Sequence, residues 1–251
     1  MFRGRSGYWC NLASFAALIA VNLAAAALPS GVRRYEAPSS GFQVLLTPGT
    51  YSFSIWLLIY GLLGGWVLYP LLRTNREPFS ASPLPVNFLL SCILSIVWVT
   101  LGDQHPLLSL TALLLQVIVT ASMYRRTRQI LRPAAVEVWF VRLPFSLYFG
   151  WISLITLASI DTLWDHTRGH EGNLWQPGLT LFLLLVGLAV ACLVGFRWRD
   201  AIIPLTFAWG YGAITAMPQP YRVVFIVSGA GALALVVYSL WISFLRTYER
   251  D

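Results

Sequence analysis

Eight stretches of this chain are long and apolar enough to cross a bilayer, and arginine gathers in every second gap between them. The stretches are Leu12–Leu28, Ser52–Leu72, Leu84–Leu101, Leu107–Tyr124, Trp139–Ile160, Gly178–Phe196, Ala201–Met217 and Val223–Leu245. Hydrophobic residues make up 57% of the 251 and charged residues 11%, with a mean hydropathy of +0.68. One soluble core of this size could not hide so much apolar surface. The runs are continuously apolar rather than alternating, which argues for helices and against a barrel. The expected fold is therefore all-α, a polytopic membrane protein of eight transmembrane helices.

The basic residues, 17 in number, are all arginine. Thirteen fall on one face if the spans alternate: Arg3, Arg5, Arg73, Arg76, Arg125, Arg126, Arg128, Arg132, Arg142, Arg197, Arg199, Arg246 and Arg250. The other face has Arg33, Arg34, Arg168 and Arg222. That imbalance puts both termini in the cytoplasm and the protein in the cytoplasmic membrane. It also accounts for the net charge of +7 without nucleic acid as a partner. The first span also carries signal-peptide features, an arginine-bearing start and the run Ala24-Ala25-Ala26-Ala27. Cleavage there would leave seven spans.

Chemistry-bearing residues are sparse. Cys10, Cys92 and Cys192 have no metal-site or disulfide spacing. His166 and His170 are four apart, near Asp161, Asp165 and Glu171, and read either as a solvated outer loop or as metal ligands. Ionisable residues deep in the spans are nearly absent, which argues against a proton-coupled pump and an intramembrane hydrolase. A non-enzymatic role is expected, with no catalytic residue, no metal and no required cofactor. Pro144 and Pro204 lie a few residues inside spans five and seven and predict local kinks.

Aromatic residues are the abundant resource, at 14% of the chain. Many sit at span ends, as anchoring belts do. Others lie inside spans: Trp56 and Tyr60 on one face of span two, Trp98 on span three, Tyr148 and Trp151 on span five. From spacing alone these rings either line a pocket for a flat apolar ligand or pack helix against helix.

The run from Leu46-Thr47-Pro48-Gly49-Thr50-Tyr51 to Ile55-Trp56-Leu57-Leu58-Ile59-Tyr60 resembles the start of the second helix of the TspO/MBR family. That family comprises the tryptophan-rich sensory proteins and the mitochondrial translocator protein. Its mark there is a tryptophan followed four residues later by tyrosine, after a proline-bearing turn. Ser95-Ile96-Val97-Trp98 is similar to the family's Asn-x-x-Trp element, with Ser95 where asparagine is usual. Pro144-Phe145-Ser146-Leu147-Tyr148 resembles its fifth helix, where proline precedes an aromatic by four. The family's Trp-x-Pro-Pro before span two is here Thr47-Pro48-Gly49, and Ser159 stands near the place of an asparagine late in span five. The resemblance covers Leu12–Trp164 and is closest to the longer bacterial branch. It implies a five-helix membrane core over residues 1–165 and a C-terminal three-helix extension over 166–251.

The same resemblance implies a receptor or sensor that binds a planar apolar ligand between helices, a tetrapyrrole such as protoporphyrin IX or a sterol. The expected binding residues are Trp56, Tyr60, Trp98, Tyr148, Trp151, Ser95 and Pro144, under the Phe42–Tyr51 loop, with Arg33 or Arg34 pairing a propionate. Bound porphyrin or lipid, the bilayer and a second copy of the chain as homodimer are the expected partners. The alternatives are a transporter or flippase for an apolar metabolite, a lipid- or tetrapyrrole-directed enzyme, and an accessory subunit of a membrane complex.

Overall fold

A computed structural model describes residues 5–27, 45–46, 50–72, 85–101, 104–129, 135–168 and 175–248. All regular structure among them is helical. The main helices are α1 (Arg5–Ala27), α2 (Ile55–Leu72), α3 (Pro85–Leu101), α4 (Pro106–Arg128), α5 (Leu143–Arg168), α6 (Gln176–Trp198), α7 (Ile202–Thr215) and α8 (Arg222–Tyr248). A 3-10 turn, Thr50–Ser54, leads into α2. Each apolar run of the sequence coincides with one of these helices. Four segments are long and apolar enough to cross a membrane: Pro106–Arg128, Ala135–Asp165, Gln176–Trp198 and Arg222–Leu245. The apolar parts of the other four, Trp9–Ala25, Ile55–Leu68, Val86–Leu101 and Ile202–Thr215, are shorter.

The outward residues show what solvent the helices are built for. Leu107, Ile118, Phe182, Leu193, Leu233 and Phe244 are each more than 60% exposed. Apolar side chains displayed at this density would be a liability in water and are ordinary against acyl chains. This is the architecture of an integral membrane protein. Ala135–Asp165 is the most enclosed of the four long segments, with 78% of its window buried against 28–39% for the other three.

The chain forms two compact units. One comprises residues 1–32 and 55–149, the other residues 33–54 and 150–251, so α5 contributes its opening turns to the first and the rest to the second. In the first unit α1 and α4 both pack on α3. Asn87 Nδ2 donates to Ser122 Oγ at 2.7 Å and ties α3 to α4. Trp66 stands edge-on to Phe88 at 4.9 Å and to Phe145 at 5.2 Å, which joins α2, α3 and α5.

Pro144 acts as expected of an in-helix proline. It has no N–H to offer the Phe140 carbonyl and its ring crowds that carbonyl. The chain answers with a π-helical segment, Val138–Arg142, in which Leu143 N–H reaches the Val138 carbonyl. Pro204 does not act as expected. It is the third residue of α7, in the first turn, where a backbone N–H has no intrahelical partner to lose. The kink predicted there is therefore absent. At 14 residues, α7 extends only about 21 Å. It begins just after Asp200, whose Oδ1 accepts from Ile202 N–H at 3.1 Å. It ends ahead of Pro218 and Pro220.

In the second unit α6, α7 and α8 pack on one another. Arg199, in the left-handed region at φ 47°, closes α6, and Asp200 N–H bonds the Gly195 carbonyl at 2.9 Å. Tyr211 donates to the Leu184 carbonyl across α6 and α7. Gly187 permits that approach, because a Cβ there would meet Tyr211 Oη at 2.5 Å and Phe207 Cε1 at 3.3 Å. We expect Gly187→Ala to lower the thermal unfolding midpoint of the detergent-purified protein, at a cost of about 1–3 kcal/mol. Gly61→Ala is the matched control, since a Cβ there meets nothing within 4 Å. Equal midpoints for the two variants would contradict this account.

Candidate functional site

The first unit brings together four of the aromatic residues marked in the sequence. Trp56 and Tyr60, one helical turn apart on α2, stack with ring centroids 5.1 Å apart. Trp98 of α3 lies 6.1 Å from Trp56, tilted by 35°. Tyr148 of α5 meets Trp56 edge-on at 6.3 Å. Trp56 and Tyr148 are buried, whereas Tyr60 and Trp98 are partly exposed. The cluster thus has an inner wall and an accessible rim.

These separations are those of rings in direct contact. No planar guest lies sandwiched between Trp56 and any of its three neighbours in this arrangement. A ligand meeting the cluster as it stands would stack on the outer faces of Tyr60 and Trp98, with Trp56 and Tyr148 behind them.

Behind the rings is a polar set. Ser95 Oγ and Tyr148 Oη are 3.1 Å apart. Gln116 of α4 donates through Nε2 to both, at 2.6 Å to Ser95 Oγ and 2.8 Å to Tyr148 Oη. All three residues are at most 1% exposed. Three helices, α3, α4 and α5, are therefore joined at one point inside apolar surroundings. Ser95 precedes Trp98 by one turn, so the polar point and the aromatic rim share a face of α3.

Gln116 was not among the residues singled out from the sequence. Its sign in the sequence is a carboxamide in the middle of span four, which carries no charge and so does not stand out among ionisable groups. Its Oε1 is buried without a hydrogen-bond partner among the described residues. Pro144 is buried on the first turn of α5, and its part is to set the π segment ahead of Tyr148. Trp151 is fully buried on α5 but belongs to the second unit.

The second unit holds the described residues of the first interhelical loop. Leu46 N–H donates to Asp161 Oδ2 at 3.1 Å, and Thr180 Oγ1 donates to Asp161 Oδ1 at 2.9 Å. Asp161 has no exposed surface. Trp209 Nε1 donates to the Ser52 carbonyl at 3.2 Å, and Tyr51 meets the Trp209 ring edge-on at 5.8 Å. The loop residues are thus pinned to α5 and α7, and Thr180 of α6 bonds the same carboxylate as Leu46. Arg33, Arg34, Thr47-Pro48-Gly49, the rest of 42–49 apart from 45 and 46, His170 and Glu171 lie outside the described residues.

An alanine at 161 removes both acceptor oxygens, the one that meets Leu46 N–H and the one that meets Thr180 Oγ1. We expect Asp161→Ala to speed hydrogen exchange at the Leu46 amide about tenfold or more, because that bond stops protecting it. An unchanged exchange rate would show that Asp161 does not hold the loop.

A family model described as TSPO-like protein matches residues 8–241. The match runs through α6, α7 and most of α8, beyond the five-helix stretch whose motifs carry the resemblance. Comparison with curated proteins and with solved structures gives no match.

Proposed function

We propose that this chain, which belongs to the TSPO-like family, is a membrane receptor or sensor for a planar apolar ligand, a tetrapyrrole such as protoporphyrin IX or a sterol-like molecule. The observation that carries the reading is the convergence of Trp56, Tyr60, Trp98 and Tyr148 from three helices, with two of the rings partly exposed. Stacking on Tyr60 and Trp98 would hold the flat face of the guest, and Ser95 lies within one turn of it. Pro144 positions Tyr148 within the proposed set.

All eight apolar helices cross the cytoplasmic membrane in this reading, with both termini in the cytoplasm. The arginine distribution supports that orientation. The shortest, α7, falls short of the roughly 30 Å of hydrocarbon, so its ends would be covered by neighbouring protein or a thinned bilayer. Residues 1–165 act as the binding core and 166–251 as its extension. A transporter would need moving elements, and of the two prolines that suggested them only Pro144 interrupts a helix. The receptor reading is preferred for that reason.

Titration of the purified protein with protoporphyrin IX, followed through the porphyrin absorbance, tests the reading. Saturable binding is expected, weakened about 3- to 10-fold by Trp98→Ala, since an aromatic contact contributes about 0.5–1.5 kcal/mol. Absence of saturation by protoporphyrin IX and by a fluorescent sterol alike, or an affinity untouched by both Trp98→Ala and Tyr60→Ala, would remove the receptor function. For the topology, a cytoplasm-active reporter fused after Asp251 should be functional, and an exported one should be silent.

A further inference from the structure

We infer that the Gln116 carboxamide is the polar recognition point of this site, so that the guest must carry an O–H or N–H donor at the edge of its otherwise apolar body. The inference rests on the receptor reading above and specifies its ligand chemistry.

The hydrogen bonds around Gln116 lead to it. The amide nitrogen donates both of its hydrogens, to Ser95 Oγ and Tyr148 Oη. Those two bonds hold the amide nitrogen between α3 and α5. The amide oxygen then points away from its anchors, fully buried and without a partner among the described residues. A buried acceptor left unmade costs more than most single contacts contribute. Apolar packing alone gives no reason to place a carboxamide at the centre of α4, where a leucine would fill the space without that cost. The amide is also held before any guest arrives, so binding loses little further side-chain entropy.

Its location supports the same role. Tyr148 is shared by the polar set and the aromatic cluster, since its hydroxyl meets Gln116 and its ring meets Trp56. Ser95 bonds the carboxamide and shares a face of α3 with Trp98, so the amide is held within one helical turn of the aromatic rim. The partly exposed Trp98 and Tyr60 rings are the side chains that shift to admit the guest. A guest with only ether or carbonyl oxygens would set acceptor against acceptor and be rejected. A single hydroxyl or an outward N–H would be taken. This selects ring systems with one polar edge over wholly apolar ones of the same shape.

The test uses a matched pair of probes, dehydroergosterol and its 3-O-methyl ether, read by energy transfer from the tryptophans of the full-length protein in detergent. The two differ only in the donor hydrogen and one methyl group. The hydroxyl form is expected to bind about tenfold more tightly, and Gln116→Met, which keeps the length of the side chain, should bring the ratio close to one. The wild-type ratio needs no variant, so it decides even if Gln116→Met does not fold. A ratio near one in the wild type, or a preference that persists in folded Gln116→Met, overturns the role of Gln116. Saturable protoporphyrin IX binding with neither sterol bound does the same while leaving the receptor standing. No binding of any of the three probes removes both.

Discussion

Backbone N–H and C=O groups have no water to turn to inside a bilayer, so each must be satisfied within its own segment. The helices of this chain follow from that requirement, and so do the places where they deviate. At Pro144 one intrahelical bond is missing, and the helix widens into a π turn rather than leaving the surrounding carbonyls unserved. At Pro204 the chain avoids the problem by starting α7 two residues earlier. At Arg199 a left-handed residue closes α6, and Asp200 then serves the start of α7.

The same solvent removes the usual reason for helices to pack. Lipid tails are as apolar as leucine, so association depends on close approach and on polar bonds. Both occur here. Gly187 lets α6 and α7 come close enough for Tyr211 to reach the Leu184 carbonyl. Tyr238 reaches the Cys192 carbonyl at 2.9 Å and Ser239 the Ala201 carbonyl at 2.7 Å, which fastens α8 to its neighbours. In the first unit that work falls to Asn87 with Ser122 and to Gln116 with Ser95 and Tyr148. In such a setting a polar side chain whose bonding capacity is only partly used invites a question about function.

The candidate site combines the two kinds of contact. Its rings pack against one another at 5.1–6.3 Å, so they form a wall with an accessible rim rather than an open slot. Residues of the first interhelical loop are held elsewhere, in the second unit, by Asp161 and Trp209. A carboxylate with no exposed surface is held there by a backbone N–H and a hydroxyl, which are the donors a buried carboxylate needs. Sequence distance hid this bond, since Leu46 and Asp161 are 115 positions apart.

Hydropathy was sufficient by itself for the helical class and for the position of the apolar helices among the described residues, because the length of an apolar run is a local property. The Trp56–Tyr60 pair was legible for the same reason: a separation of four puts two residues on one helical face whatever surrounds them. Pro144 and Pro204 looked alike in one dimension, and only the register of each helix start separated a π turn from an ordinary first turn. Gln116 acquired meaning only in three dimensions, when Ser95 and Tyr148 from two other helices took its amide hydrogens and left its oxygen unmatched. Tertiary structure decided these points because hydrogen-bond satisfaction depends on partners that arrive from distant segments, whereas the spacing of apolar residues does not.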